Sequence, residues 1–183
     1  MKTLIVVVLY NKSFHQSKTL ISLRDIPLEE TSLLVVNNGP DLLSEKDSFL
    51  EGLIGYDCVK ILNFINNKPL SHIYNDVISE YSGFDRYILF DDDTSISKAY
   101  FSHPIVELGD LHLVVPKIID IKTGLNSYPQ INNEVYKGGD GFLPSDKNVF
   151  SIGSGLIIYK ELVNLFSKEK IELFDSNFAL YGV

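Results

Sequence analysis

The sequence has a single cysteine, Cys58, among its 183 residues. One cysteine cannot form an internal disulfide, so a reducing compartment is the simpler interpretation. A free cysteine is among the residue types most often buried, and it usually behaves as a small hydrophobic side chain. We therefore expect Cys58 to be a small buried residue of the core.

Positive charge is also scarce. The chain has 16 Lys and Arg residues against 24 Asp and Glu residues, which gives a net charge of −8, and no stretch is rich in Lys or Arg. A nucleic-acid-binding surface needs clustered positive charge to meet the phosphates. The composition therefore argues against a nucleic-acid partner.

Long hydrophobic runs are missing as well, since no stretch approaches the ~18 apolar residues that a membrane-spanning helix requires. Residues 1–9 are apolar with one lysine, but they are too short for a signal peptide, and no small-residue cleavage site follows them. We expect a cytoplasmic protein without a transmembrane segment, and peripheral contact with the inner membrane face stays open.

Long polar low-complexity stretches are absent too, and apolar residues make up 45% of the sequence. A chain of this length and composition suits one domain, residues 1–183, with a sizeable core.

Short aliphatic runs alternate with helical patterns in the first half of the chain. Runs that are apolar on both faces are typical of strands buried in a parallel sheet, and they predict such strands at residues 4–9 and 33–36, with further strands at 59–62 and 87–90. Helical spacing predicts helices near residues 19–23, 42–50 and 69–81, the last one with an apolar face that includes Tyr74 and ended by Gly83.

The second half predicts a buried strand at 111–115, hairpins within 118–150 with a long loop at 138–146, a strand at 155–159 and a helix at 160–167. The order of elements indicates an α/β fold. Its sheet is mostly parallel, with helices on both faces and a smaller antiparallel part.

Polar clusters follow four of these predicted strands. They are Tyr10-Asn11, Asn37-Asn38-Gly39, Asn66-Asn67 and Asp91-Asp92-Asp93. Ligands of parallel α/β sheets collect at the carboxyl ends of the strands, so we expect one site assembled from these loops.

The acidic cluster is the most informative of the four. If the strand continues through it, Asp91 and Asp93 point the same way, because strand side chains alternate. Two carboxylates on one side suit Mg²⁺ or Mn²⁺, which would neutralise charge on a diphosphate leaving group. The alternative is a solvated acidic turn that caps a helix near Ser97, and the residues alone leave both interpretations open.

Five motifs occur in an order and spacing that cover nearly the whole chain. They are Val6-Val7-Val8-Leu9-Tyr10-Asn11, Asn37-Asn38-Gly39-Pro40, Asn66-Asn67-Lys68-Pro69-Leu70-Ser71-His72-Ile73-Tyr74-Asn75, Phe90-Asp91-Asp92-Asp93-Thr94 and Ser151-Ile152-Gly153-Ser154-Gly155. Together they resemble glycosyltransferase family 2, which has the GT-A fold, and most of all its rhamnosyltransferase-like branch.

The resemblance implies a nucleotide-diphosphate sugar donor, a saccharide or lipid-linked acceptor, and a role in cell-surface polysaccharide biosynthesis. It implies Mn²⁺ or Mg²⁺ as cofactor, with Asp93 as the direct ligand and Asp91 beside it, where Asp91 also positions the donor ribose or sugar. The implied donor-binding residues are Tyr10, Asn11, Asn37, Asn67, Asn75, Asp91 and Asp92.

Three of these positions carry further expectations. Asn37 stands where the family usually has an aspartate that contacts the base, so the identity of the base stays open. Asn75 would face the sugar or diphosphate, with an exposed polar helix residue as the alternative. Asp92 occupies a variable position and is expected to be only a neighbour of the metal.

The segment 173–183 resembles the one just before the catalytic acidic residue of the family. In inverting members that carboxylate deprotonates the acceptor hydroxyl for direct displacement at the anomeric carbon. By this resemblance the base is expected just after Val183, so the domain would be incomplete at its C-terminus, whether by nature or not. Asp175 would be an upstream, structural acid.

Two alternatives to a full transferase follow. One is a non-catalytic nucleotide-sugar-binding fragment that lacks the general base. The other is a phosphatase of the haloacid dehalogenase type. Its motif needs Thr or Val where this sequence has Ser95, and it usually lies near the amino terminus. A nucleophile elbow around Ser154 is also unsupported, because Ser151 occupies the position of its first glycine.

Overall fold

A computed structural model describes residues 1–102, 112–144 and 146–177. Its main sheet has six strands, which are β1 (Thr3–Leu9), β2 (Thr31–Asn37), β3 (Cys58–Asn63), β4 (Arg86–Asp91), β5 (Leu113–Val114) and β11 (Leu156–Tyr159). Their order across the sheet is β3-β2-β1-β4-β11-β5. Five two- or three-residue strands form two smaller sheets, namely β6 (Ile118–Ile119), β7 (Asn126–Tyr128), β8 (Gln130–Ile131), β9 (Glu134–Val135) and β10 (Val149–Phe150).

The central part of the main sheet is parallel. β1 pairs in parallel with β2 and with β4, and β2 pairs in parallel with β3. β11 runs antiparallel to β4 and to β5, and the two smaller sheets are antiparallel. The predicted α/β fold with a mostly parallel sheet and a smaller antiparallel part after residue 118 is therefore confirmed, and the strands predicted at 4–9 and 87–90 are neighbours.

Helices cover both faces of this sheet. They are α1 (Lys18–Arg24), α2 (Ser48–Glu51), α3 (Leu70–Glu80), α4 (Lys98–Ser102) and α5 (Lys160–Lys168), and a short 3-10 helix spans Phe14–Gln16. Because side chains alternate along β1, Ile5 and Val7 pack with α1 and α2, while Leu4 and Val6 pack with α3 on the other face. All seven residues of β1 are buried, which explains its continuous apolar run.

Some predicted elements differ in extent. The helix predicted at 42–50 forms only at Ser48–Glu51, where the Asp47 side chain accepts a hydrogen bond from the Phe49 N–H. α3 ends at Glu80, and its C-cap is Tyr81, whose N–H donates to the Val77 carbonyl, so Gly83 does not end it. Within the predicted loop at 138–146, of which residue 145 is outside the described part, the structure assigns no helix or strand.

The strand predicted at 111–115 is shorter than expected. It spans Leu113–Val114, and residue 111 lies outside the described part of the chain. The prediction that it is buried is wrong, because β5 is the last strand of the sheet and 43% of Leu113 is exposed.

The prediction that Cys58 is buried is also wrong. Cys58 is exposed, since it begins β3, which is the outermost strand on the other side of the sheet. An edge strand has a neighbour on one side only, and composition alone does not distinguish it from a central strand. Within the described residues, no helix combines the length and the apolar character needed to cross a membrane.

The exposure of Cys58 predicts its reactivity. One equivalent of a thiol reagent such as dithiobisnitrobenzoate should react with the folded protein without denaturant, because solvent reaches the sulfur. Labelling followed by absorbance measures this, with Cys58→Ser as the blank. A thiol that reacts only after unfolding would show that the edge strand is covered.

Candidate functional site

The loops that follow β1, β2 and β4 meet at one edge of the sheet. The Asn11 N–H bonds to the Gly39 carbonyl at 2.7 Å, and the Asn38 N–H bonds to the Leu9 carbonyl at 2.8 Å. The Tyr10 N–H donates to the carboxylate of Asp92 at 3.2 Å. Because these strands are parallel neighbours, polar clusters far apart in the sequence form one candidate site.

Asn37 shapes the loop after β2. It is buried, and its Nδ2 donates to the Asp41 carbonyl at 2.6 Å and to Asn63 Oδ1 at 2.7 Å. Its Oδ1 accepts the Gly39 N–H at 3.1 Å. The amide therefore has protein partners on both of its ends, and contact between Asn37 and a base stays a prediction.

Asn38 links the loop after β2 to the loop after β3. Its Nδ2 donates to Asn67 Oδ1 at 3.1 Å and to the Lys68 carbonyl at 2.9 Å, and its Oδ1 accepts the Lys68 N–H at 2.8 Å. The predicted donor-binding residue Asn67 is thus held from the neighbouring loop, and Asn38 is a loop-fixing residue that the sequence did not single out.

Backbone conformation explains part of the Asn and Gly content of these loops. Asn11 and Asn67 have φ angles of 52° and 46°, in the left-handed region that Asn tolerates better than most residues. Gly39 has φ +92°, and a Cβ there would lie 2.8 Å from the Ile65 carbonyl oxygen. The close approach of the loops after β2 and β3 therefore requires glycine at this position.

The acidic segment turns sharply after β4. The strand ends at Asp91, and Asp92 and Asp93 lie in a turn. The Asp92 carbonyl accepts the Ser17 hydroxyl at 2.9 Å and the Thr19 N–H at 3.3 Å, both at the start of α1. The strand therefore does not continue through the acidic segment, so strand alternation does not apply to Asp91 and Asp93, and their joint binding of a metal stays a prediction.

Charge is compensated unequally among the three aspartates. Asp92 pairs with the Lys12 ammonium and accepts the Tyr10 N–H, and its side chain is only 14% exposed. Among the described residues, no donor reaches the carboxylate of Asp91 or of Asp93. Lys12 was not predicted, because 80 residues separate it from Asp92 and its only signal is that it follows β1.

The carboxyl group of Asp91 is an unusually weak acid. Burial raises its pKa to about 6, with further contributions from the negative charges of Asp93 and then of Asp92. These causes disfavour the charged form, and a cation beside the pair would favour it. A cation bound beside Asp91 and Asp93 would therefore offset the unfavourable negative charge at this position.

The residues present also fit Mg²⁺ or Mn²⁺ by ligand type. In the described ranges, no three His, Cys, Asp or Glu side chains form a cluster that could hold a metal. Mg²⁺ needs only one or two carboxylates, because it keeps several waters and completes its shell with substrate phosphates. Asp91 and Asp93 supply that number at the carboxyl edge of the sheet.

Ser154 supports the acidic segment from the other side. It is buried, its Oγ accepts the Asp91 N–H at 3.1 Å, and it lies 2.5 Å from the Thr94 hydroxyl. Thr19 completes the frame, since its hydroxyl bonds to the Asp91 carbonyl and accepts the Thr94 N–H at 3.0 Å. Ser154 is therefore a structural residue of the site.

Asn75 has its amide engaged by the C-terminal segment. Nδ2 donates to the Phe174 carbonyl at 2.7 Å, and Oδ1 accepts the Phe174 N–H at 3.0 Å. The proposed contact of Asn75 with sugar or diphosphate stays a prediction. Asp175 is exposed and accepts the Asn177 N–H at 2.9 Å, which is a local turn contact. Residues 178–183 lie outside the described part.

Tyr74, beside Asn75, has a buried hydroxyl next to Gly153, where an added Cβ would lie 3.7 Å from the Tyr74 oxygen. Its side chain is buried, and burial together with the charge of Asp91 raises its pKa, so the hydroxyl stays protonated. Sequence analysis missed it because Tyr74 counted as one of the apolar residues of the α3 face. In the described structure its hydroxyl has no hydrogen-bond partner.

The comparisons with known proteins give a limited answer. No protein-family model matches the chain, and no curated protein matches it. The structure is similar to that of CMP:2-keto-3-deoxy-manno-octonic acid synthetase complexed with CTP, with a TM-score of 0.44 and 10% sequence identity. The match covers 92% of this chain and 78% of that chain. At this level it assigns no role to any residue.

The frame around Asp91 predicts a stability effect. Ser154→Ala should lower the free energy of unfolding by about 1–3 kcal/mol, because the buried Asp91 N–H and Thr94 hydroxyl lose their partner. Urea unfolding measures this, with Ser95→Ala at a neighbouring exposed position as the matched control. Equal stability of the two variants would contradict the structural role of Ser154.

Proposed function

We propose that this chain binds a nucleotide-diphosphate sugar through a divalent cation, as the donor-binding domain of a glycosyltransferase resembling family 2. The observation that carries the proposal is the charge distribution after β4. Asp92 has a protein cation in Lys12, whereas Asp91 and Asp93 receive no donor from the described residues. Two adjacent carboxylates without a counter-charge favour a cation from outside the protein.

The alternative of a solvated, helix-capping turn fits this segment less well. Asp91 is only partly exposed at the end of a buried strand, whereas a solvated turn would leave it open to water. α4 begins at Lys98, whereas the carboxylate of Asp92 bonds to Tyr10 and Lys12 in the loop after β1. Asp92 therefore holds that loop and does not act as a cap of α4.

A phosphatase of the haloacid dehalogenase type is also disfavoured. Its motif needs Thr or Val four residues after the first aspartate, where this chain has Ser95. The five motifs that resemble family 2 favour a nucleotide-sugar ligand at this edge of the sheet.

Each part of the site has a role in this proposal. Asp91 and Asp93 would hold Mn²⁺ or Mg²⁺, which when bound would neutralise charge on the diphosphate leaving group. Asp92 and Lys12 would fix the loop after β1, where Tyr10 is 42% exposed and offers a ring face to a base.

Transfer needs a general base beside the hydroxyl of a saccharide or lipid-linked acceptor, in an inverting displacement. No described residue is assigned that role. A nucleotide-sugar-binding protein without catalysis would use the same donor site, so donor binding is the part of the proposal that the present residues support.

The assignment of the metal ligands predicts an order of effects. Asp93→Asn should weaken Mn²⁺-dependent binding of nucleoside diphosphates by about 100-fold, because it removes a ligand charge from the site. Asp92→Asn should weaken it much less, since Asp92 is paired with Lys12. Isothermal titration calorimetry with UDP, GDP, CDP, ADP and dTDP, with and without Mn²⁺, measures the affinities.

Glu161→Gln is the matched control, because it removes one acidic charge at the opposite edge of the sheet. Glu161 follows Tyr159, which pairs with Arg86 at the start of β4. Equal affinity of wild type, Asp92→Asn and Asp93→Asn would refute the metal assignment, as would binding that is the same with and without Mn²⁺.

The same charge distribution predicts a crossover in stability. Without metal, Asp93→Asn should raise the melting temperature by about 1 °C, because it relieves repulsion between carboxylates. With Mn²⁺ and a nucleoside diphosphate, the wild type should gain more, since ligand binding stabilises the native state by mass action. Differential scanning calorimetry measures both conditions, and a variant that gains as much as wild type would count against the site.

A further inference from the structure

A cavity of about 230 Å³ lies between the first halves of three strands and the carboxyl-terminal end of α3. β1 and β2 supply Leu4 and Leu34 to its floor, and Tyr81 and Phe84, at and just after the end of α3, form its wall. These four side chains are apolar over most of their surface. The cavity is therefore an apolar space toward the opposite edge of the sheet from the candidate site.

Small side chains in the sheet leave this space open. Leu4 pairs with Ser32 and Ser32 pairs with Cys58, so these three residues form one row across β1, β2 and β3. In the next row on the same face, Leu34 pairs with Lys60. Ser32 and Cys58 are smaller than the leucines beside them, so the first row does not fill the volume beneath the end of α3.

The wall of the cavity is held in place by a buried residue of β4. The Tyr87 hydroxyl donates to the Tyr81 carbonyl at 2.8 Å, and the Phe84 ring packs edge-on against the Tyr87 ring with centroids 6.4 Å apart. Only 1% of Tyr87 is exposed. The cavity is thus formed without a ligand, as small-molecule sites usually are.

Two hydrogen-bond donors stand at the edge of the cavity. The Lys60 ammonium lies 5.5 Å from the centroid of the Tyr81 ring, and within the described residues it has no carboxylate partner. The half-buried Ser32 hydroxyl makes no hydrogen bond in the described part of the chain. An ammonium and a hydroxyl can both donate to one carboxylate, so this edge of the cavity complements an anionic head group.

The size of the cavity limits the apolar part of such a ligand. An apolar cavity of about 150 Å³ engineered into another protein binds benzene, which has six carbons. By the same ratio, about 230 Å³ admits a chain of about eight carbons. A longer chain would extend into water and gain little from its additional methylenes.

We propose that this cavity binds a medium-chain fatty acid. The aliphatic chain would pack against Leu4, Leu34 and Phe84, and the carboxylate would accept hydrogen bonds from the Lys60 ammonium and the Ser32 hydroxyl.

This site is separate from the candidate donor site. Leu4 and Tyr10 are six residues apart along β1 and its end, which corresponds to about 20 Å at about 3.3 Å per residue. A fatty acid in the cavity would therefore not overlap a nucleotide at the carboxyl edge, and the inference does not rest on the proposed function.

The first test is titration calorimetry with probes that separate the head group from the chain. Octanoate should bind, octanol should bind more weakly, and acetate should not bind detectably. From butanoate to octanoate, each added methylene should tighten binding about fourfold, and decanoate should gain little beyond octanoate. All probes are used below the concentrations at which they form micelles.

The second test removes the positive charge. Lys60→Gln should weaken octanoate binding about fivefold and leave octanol binding unchanged, because it removes one partly solvated ion pair with the carboxylate. Lys46→Gln is the matched control and should bind like wild type, since Lys46 is an exposed lysine in the loop between β2 and α2.

The third test fills the cavity. Ser32→Leu should weaken both octanoate and octanol at least about tenfold, because its side chain would occupy the space of the ligand chain. If this variant fails to fold, the wild-type thiol gives an independent measurement. Saturating octanoate should slow the reaction of Cys58 with dithiobisnitrobenzoate several-fold, since Cys58 lines the same cavity, whereas acetate at equal concentration should not.

Several results would overturn the inference. Equal affinity of wild type for octanoate and octanol, or an equal loss of both in Lys60→Gln, would show that the head group is not recognised. Unchanged octanoate binding in Ser32→Leu, or an unchanged rate of Cys58 labelling with octanoate, would place any binding elsewhere. A Cys58 thiol that is protected without octanoate would show that another segment or a second copy of the chain covers the cavity.

Discussion

The turn that carries Asp91, Asp92 and Asp93 is held from two sides, and the candidate site depends on it. Ser17 and Thr19 at the start of α1 bond to its carbonyls, and Ser154 before β11 accepts its first N–H. Three carboxylates in succession would repel each other and spread the segment. The surrounding hydroxyls fix the backbone, so the segment cannot relieve the repulsion between the carboxylates by moving.

That constraint gives the charge distribution its meaning. Lys12 neutralises the middle aspartate, which also draws the loop after β1 toward β4 through the Tyr10 N–H. The two flanking aspartates share no such partner in the described residues, and burial makes the negative charge of Asp91 unfavourable. A local loss of stability of this kind, at one edge of the sheet, is typical of a functional site.

Sequence reasoning reached the sheet because its signal is local. The continuous apolar runs of β1 and β2 reflect burial on both faces, and the polar residues after them mark the strand ends. Sequence reasoning did not predict which strands lie at the exposed edges of the sheet, as Cys58 shows, because strand order depends on contacts between residues far apart in the sequence. Whether the chain turns after Asp91 stayed open for a similar reason, because the bonds at the end of β4 come from α1.

The structure brings the polar clusters that the sequence singled out to one edge of the sheet, but the sequence did not resolve them into individual roles. Nothing local distinguishes Asn37 and Asn38, which hold loops through their amides, from residues left free to meet a ligand. Lys12 and Ser154 act on aspartates 60 or more residues away, so neither has a sequence signal of its own. Roles of this kind depend on which hydrogen bonds the fold has already used.

The same accounting connects α3 with the C-terminal segment. Helical spacing identified Tyr74 as a core residue, and its ring is one, but its hydroxyl has no hydrogen-bond partner in the described structure. Asn75 bonds twice to the backbone of Phe174, and the Phe174 ring packs on Tyr74. Asn75 therefore fixes the residue that packs on Tyr74, and its amide attaches the C-terminal segment to α3, a use that its place on the helix alone did not reveal.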